Sequence, residues 1–334
     1  MMQYLTYENP AHAACLAEIN ENWPFQFSTA WSRFLREYAR EQLVIVYNES
    51  LQAFMPLRLY HTSVFRLGQI QHAPMSQGKE LIQRKQLLFF NLLIRDLRQR
   101  NFCDRLVQPH PYCLLLAVPP HARHCEFGTY VMQLSQHSAE EIFARMHEKY
   151  QKAIRHARKH GAVVRWGWQY FDLFYPILKS TLDRAGVPLE SREYFLALKE
   201  YLGEKHTTVA MVFENDIPIG GTFYFYSKYS AFCTHAGSHH TKLYGAMKLL
   251  HYEMMLHFKS LQVQYYDLVG VRLQKVDPAL EGIFRFKKGF GADLKTGYLW
   301  KTDIHPGKAK IFDWLQKIRG REWLCRDIID QVTI

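Results

Sequence analysis

The sequence predicts an α/β (α+β) protein of two tandem, similar domains, each a mixed, mostly antiparallel sheet flanked by helices. Three observations predict it. The 334 residues exceed what one ordinary core organises, so two domains of roughly 150 residues each are expected. The composition, 48% hydrophobic and 15% aromatic with no low-complexity tract, is that of a folded chain. The order strand, strand, strand, helix, strand occurs twice.

In the first half, "QLVIVYNESLQAFMPLRLY" reads as a hairpin turning at "NES". "QIQHAPM" is a short strand, "GKELIQRKQLLFFNLLIRDLRQRN" has helical spacing, and "FCDRLVQPHPY" is the returning strand. In the second half, "TTVAMVFENDIPIGGTFYFYS" is again a hairpin, turning at "END". A strand "YSAFCTHAGS", a helix "KLYGAMKLLHYEMMLHFKSL" and a strand "VQYYDLVGV" follow. This repeat implies duplication, and its order is that of the GCN5-related N-acyltransferase core. The expected domains are residues 1–135 and residues 136–334, the second carrying a basic linking helix over 138–160 and a C-terminal helix.

Ser138 and Glu141 form a capping box for the linking helix, and Gly161 supplies its stop. Phe143, Met146, Tyr150, Ala153 and Ala157 make its apolar stripe. Lys149, Lys152, Arg155 and Lys159 gather on the other side. That side is either a solvated face or an anion-binding one, since crowded cations repel until a counter-charge arrives. Lys and Arg total 42 against 31 Asp and Glu, a formal charge of +11, which favours an anionic partner: nucleic acid, a phosphate-bearing substrate or an acidic membrane. Two further helices, "FDLFYPILKSTLDRAG" and "SREYFLALKEYLG", lead into the second hairpin.

Six scattered cysteines without a CxxC pair read as reduced and buried. "HARHC" lacks a second ligand cluster, so no metal is expected. The first residues lack signal-peptide character, and no apolar run is long enough for a transmembrane segment. A cytoplasmic protein is expected. In the stretch after Pro306, Lys308, Lys310, Lys317, Arg319 and Arg321 alternate with Trp314, Ile318 and Trp323. It is either a helix packed on the second domain or a peripheral membrane contact at the inner face.

The chemistry concentrates in "YYDLVGV", whose strand ends at Asp267 before a turn at Gly270, and in "EGIFRFKKGFGADL" after it. Together they resemble the signature of the Fem family (FemABX-type) of peptidoglycan-bridge aminoacyltransferases, a Y-D-F-G-G strand followed by G-[IL]-x-R-F-K-x-G-F-G. "KYQKAIRHARKHGAVVRWG" is similar to the family's basic helix. The resemblance runs from about Trp31 to Lys301, is most specific at the signature, and fits the compact type without the long helical arm. It implies two GCN5-related domains and transfer of an aminoacyl group from aminoacyl-tRNA to an amine on the peptide of a peptidoglycan precursor, nucleotide- or lipid-linked, with no cofactor.

By this resemblance Lys287 and Phe286 are the catalytic pair. Arg192, Tyr194, His235, Tyr266, Asp267 and Arg285 are substrate contacts, and Lys149, Lys152, Arg155 and Lys159 meet tRNA. A cation at Lys287 suits the oxyanion that forms when an amine attacks an ester, and it equally suits a phosphate. Two positions depart from the family. Gln108 stands where its Asp-Pro is expected, and glutamine cannot act as a base; His235 stands where a Tyr is expected. The poor match of "KLYGAM" to a pyrophosphate loop argues against coenzyme A. Two alternatives remain open: an acyl-CoA-dependent N-acyltransferase acting on a sugar or peptide amine, and a non-catalytic RNA- or polyanion-binding protein.

Overall fold

The computed structural model describes residues 1–62, 65–239, 244–273, 278–318 and 327–332. The β-branched run in Gln42–Asn48 (β2) pairs with Ala53–His61 (β3), while Met2–Leu5 (β1) pairs with the outer edge of β2. Short helices Ala13–Leu16 (α1) and Thr29–Arg33 (α2) lie between β1 and β2. Arg66–Ile70 (β4), the small hairpin Met75–Ser76 (β5) and Lys79–Glu80 (β6), helix Gln83–Gln99 (α3) and Arg105–Val107 (β7) complete the first motif. Its core forms because α3 turns Phe89, Phe90, Leu93 and Leu97 onto the sheet.

Strand Arg123–Gln133 (β8) precedes the expected boundary at 135/136, yet every strand it pairs with follows that boundary. The helix expected over 138–160 is divided into Ala139–Arg145 (α4) and Glu148–Lys159 (α5). Met146 is extended there, and the His147 side chain caps α5 by accepting from the Lys149 N–H. The apolar stripe hid this break because Met146 stays buried.

After Ala162–Trp166 (β9), helices Phe171–Ala185 (α6) and Arg192–His206 (α7) precede Thr207–Glu214 (β10) and Ile217–Tyr226 (β11). Asn215 and Asp216 both take positive φ, as the two-residue turn between β10 and β11 requires. Ser230–Ser238 (β12), Ala246–Ser260 (α8), Tyr265–Asp267 (β13), Val271–Arg272 (β14), Pro278–Lys288 (α9), Asp293–Asp303 (β15), Pro306–Ile318 (α10) and Ile328–Val332 (α11) follow.

Hydrogen bonding runs through both halves in the order β1–β2–β3–β4–β7–β15–β8–β13–β12–β11–β10–β9. Among the described residues only β4–β7 and β12–β13 are parallel pairs, so the sheet is mixed and mostly antiparallel. In the second half α6 and α7 cover one face, and α5 and α8 cover the other. The first of these cores is shared between the halves: Phe25 stacks on Phe225 at 4.8 Å, and Phe34 meets Tyr194 edge-on at 5.6 Å.

The C-terminal helix α10 is anchored by Asp313, which accepts two hydrogen bonds from the buried Arg105, and by Phe312 against Phe65. Its outer side leaves Ile311, Trp314 and Ile318 exposed. Of the basic stretch read there, Arg319, Arg321 and Trp323 and the side chain of Lys317 lie outside the described residues. So do residues 240–243 of the loop before α8. No helix among the described residues is long and apolar enough to cross a membrane.

Candidate active site

Strands β12 and β13 pair only over Ser230–Phe232 and Tyr265–Asp267. Beyond those residues their ladder stops, and the opening between them holds the signature lysine. The turn after β13 shapes it, with Val269 at φ 51° and Gly270 at φ 55°. Glycine adopts that region freely, but a β-branched valine there carries backbone strain. The Asp267 carboxylate stabilises the turn, its Oδ1 accepting from the Val269 N–H at 2.7 Å and from the Thr129 hydroxyl.

The turn presents two carbonyl oxygens to Lys287, whose ammonium donates to Val269 O and, at 2.8 Å, to Gly270 O. Burial lowers its pKa to about 8, opposed by the nearby charge of Asp267. It is still mostly ammonium at neutral pH. Burial pushes Asp267 up to about 6, against the hydrogen bonds from Thr129 and Val269 and the charge of Lys287. The two groups stabilise each other's charged form in a site where burial opposes both.

The glycines of the signature serve packing. A Cβ on Gly289 would stand 2.2 Å from the Tyr150 ring, and one on Gly291, at φ 70°, would stand 2.1 Å from Arg145 O. Their absence lets α4 and α5 close on the segment, tied by His147 N–H to Gly289 O at 3.0 Å and by the Tyr150 hydroxyl to Phe286 O at 3.0 Å. Phe290 is fully buried. Phe286, half-buried, packs its ring against His251 at 5.5 Å and Phe290 at 5.1 Å.

Beneath Phe286 lies a line of buried polar groups: His251 Nδ1 to the Tyr266 hydroxyl at 2.7 Å, and Tyr266 to the Tyr224 hydroxyl at 2.8 Å. Burial, then the charge of Lys287, lowers His251 to about 3, so it is neutral. Tyr266, expected as a substrate contact, is fully buried within this floor. The reason is the strand period of two: Asp267 on one side puts Tyr266 on the other, against α8.

The other expected substrate contacts fall in three places. Arg285 is exposed and pairs with Glu281 at 3.6 Å. Arg192 is exposed at the start of α7, 2.6 Å from Asp172. Tyr194 and His235 sit where the halves meet. The His235 ring packs on Phe195 at 5.3 Å, and its Nε2 is 3.4 Å from Glu190, whose carboxyl it holds below the usual range.

His110 and Arg58 share the electrostatic neighbourhood of His235 and Glu190, and burial, then Arg58, lowers His110 to about 4. The sequence offered only a weak signal for His110, the "PHP" next to Gln108. Gln108 itself accepts from the Ile329 N–H through Oε1 at 3.0 Å, and its carbonyl accepts from Gln69 at 3.0 Å. On α5, Lys152 pairs with Glu148 at 2.6 Å, and Arg155 lies over Phe143 at 5.1 Å. The one acid on α5 is Glu148, its first residue, so the cations that follow it on the helix are not interleaved with acids.

A cavity of about 330 Å³ lies beside Asp267, lined by residues of both halves including His72, Glu80, Tyr112, Tyr229, Ser230 and Lys295. A second, of about 260 Å³, is lined by Phe284, Lys287, Gly270 and Pro111. Lys287 thus reaches a cavity wall while Asp267 forms part of another.

Comparison with known proteins identifies the family and the fold. The model of the FemAB family matches residues 126–212 and 208–298, more than half of the chain, from β8 into β15. A search of curated proteins gave no match. Among solved structures, the crystal structure of FemX is similar at TM-score 0.67 and 12% identity, covering 92% of this chain and 99% of that one. The C-terminal domain of a putative lysylphosphatidylglycerol synthetase from Agrobacterium fabrum is similar at 0.54 and 11%, covering 91% and 97%. L-PGS from Bacillus licheniformis is similar at 0.50 and 11%, covering 87% and 91%. At such identities these structures show the fold. The family match lies on the strands and helix that build the Lys287 site, and the chain belongs to the FemAB family, with a GCN5-related acyltransferase fold.

Proposed function

We propose that this chain transfers an aminoacyl group from aminoacyl-tRNA to a primary amine on the peptide of a peptidoglycan precursor. The observation that carries the reading is Lys287, a partly buried ammonium fixed by two backbone carbonyls at the opening between β12 and β13. Two of its three protons are engaged there, and the third is available to the oxygen that becomes negative when the amine attacks the ester carbon. As the tetrahedral intermediate collapses, the ester C–O bond breaks and the ribose oxygen leaves with a proton.

The attacking nitrogen must lose its own proton. Asp267, pushed up to about 6, is ionised at neutral pH and supplies a base that Gln108 cannot. Phe286 and the floor of His251, Tyr266 and Tyr224 hold the segment rigid. Helix α5, with Lys149 and Lys159, gives the tRNA a cationic approach on the α8 side. A lipid-linked precursor would suit helix α10, whose exposed Ile311, Trp314 and Ile318 stand beside Lys310 at the inner face of a membrane.

The donor is tested by incubating pure protein and a precursor bearing a free amine with charged tRNA or with acyl-CoA, and detecting the amide by mass spectrometry. Product from charged tRNA alone supports the proposal. Product from acyl-CoA alone, or binding of RNA without turnover, contradicts it.

A further inference from the structure

The cavity beside Asp267 has a chemistry of its own. Two carboxylates, Glu80 and Asp267, face it together with one cation, Lys295. His72 also lines it, and its Nδ1 is 3.1 Å from Ala73 O; burial lowers its pKa, leaving the ring neutral. The formal charge of the lining is therefore one negative, which a single ammonium would neutralise.

Both carboxylates keep acceptor capacity. Glu80 accepts from the Tyr229 hydroxyl through Oε1 at 3.0 Å, and Asp267 uses Oδ1 for both of its hydrogen bonds. The second oxygen of each has no hydrogen-bond partner among the described residues. Ser230, 3% exposed and lining the same cavity, has a buried hydroxyl with no partner among the described residues. A buried hydroxyl gains a hydrogen bond from any polar group that comes within its reach.

The walls complete a cation site. Tyr229 and Tyr265 meet at 5.4 Å, and Lys295 already lies over the Tyr265 ring at 4.6 Å, so the aromatic faces are electrostatically suited to positive charge.

We propose that this cavity binds the primary ammonium group of the acceptor substrate, held between Glu80 and Asp267 with Ser230 as a third acceptor. Its assignment to the acceptor rests on the function proposed above. It also follows from position: Glu80, His72 and Tyr112 bring the cavity to the first-half side, whereas the cationic helix α5 lies with α8 on the other face. Recognition by two carboxylates and a hydroxyl selects a charged amine over a neutral group of the same shape.

The test uses ligand-observed NMR on the full chain with n-butylammonium, and with n-butanol as its neutral counterpart. Alaninamide, an α-ammonium beside a carbonyl, stands for the aminoacyl end of the donor. The site requires n-butylammonium to bind and n-butanol to bind at least about tenfold more weakly. Glu80→Gln is expected to weaken the ammonium about tenfold. Thr296→Lys, an exposed position on the cavity wall, is expected to abolish binding without touching the core.

Equal binding of alcohol and ammonium, or unchanged ammonium binding in both folded variants, overturns the site. Preference for alaninamide over n-butylammonium overturns the acceptor assignment. Ammonium binding without aminoacyl transfer leaves the site standing and removes the function proposed above; transfer without ammonium binding does the reverse.

Discussion

At the scale of single residues, the site is governed by what burial does to two charges. Lys287 is depressed to about 8 and Asp267 raised to about 6, so the pair is jointly ionised between those values. The pH profile of kcat/KM is accordingly expected to be bell-shaped, with limbs near 6 and 8, and Lys287→Arg should move the upper limb beyond the measurable range. A profile flat from pH 5 to 9 would exclude both assignments.

Stability carries the same signature. Folded Asp267 holds its proton to a higher pH than the unfolded chain, so its contribution falls as pH rises from 3.8 to about 6. The stability of the protein relative to Asp267→Asn should drop through that window, by up to about 1.4 kcal/mol per pH unit, as read from urea unfolding. Lys287 and Asp267 were legible in the sequence because the signature and the strand end mark them. Glu80 and His110 were not. Each is a single polar residue in an ordinary setting, and only the meeting of the two halves gives it partners.

At the scale of elements, helix α9 and strand β15 depend on glycines that admit the neighbouring helices. Gly291→Ala would drive a Cβ into Arg145 O at a positive φ, where no side-chain rotation relieves it. A loss of roughly 1–3 kcal/mol in unfolding free energy is expected, with transfer activity falling alongside as the Lys287 segment shifts. Undiminished stability would show that α4 and the signature are not tightly packed.

Helix α10 makes a separate prediction. Because Asp313 and Phe312 hold its inner side, Ile311, Trp314 and Ile318 are free to enter a bilayer surface. Anionic vesicles should bind the protein, salt should release it, and Ile311→Ser with Trp314→Ser should abolish binding. Equal binding to neutral vesicles, or none, contradicts that role. The hairpins and most helices could be read from period and turn residues. The β8–β15 ladder could not, because it joins Asp293–Lys301 to Arg123–Val131, a pairing with no local mark. The break between α4 and α5 escaped because burial continued across it.

At the scale of the whole molecule, one sheet runs through two copies of a motif, and the candidate chemistry lies where the second copy's parallel pair opens beside the first. The repeat was visible in the sequence; the common core, with Phe25 against Phe225, was not, since nothing local relates residues so far apart.

The most direct measurement is single-turnover transfer from pre-charged tRNA to an amine-bearing precursor, comparing the unaltered chain with Lys287→Ala. Loss of one stabilising donor predicts a rate lowered by about 10²–10³, with tRNA affinity changed little. Transfer at the full rate in a folded Lys287→Ala protein would contradict the account.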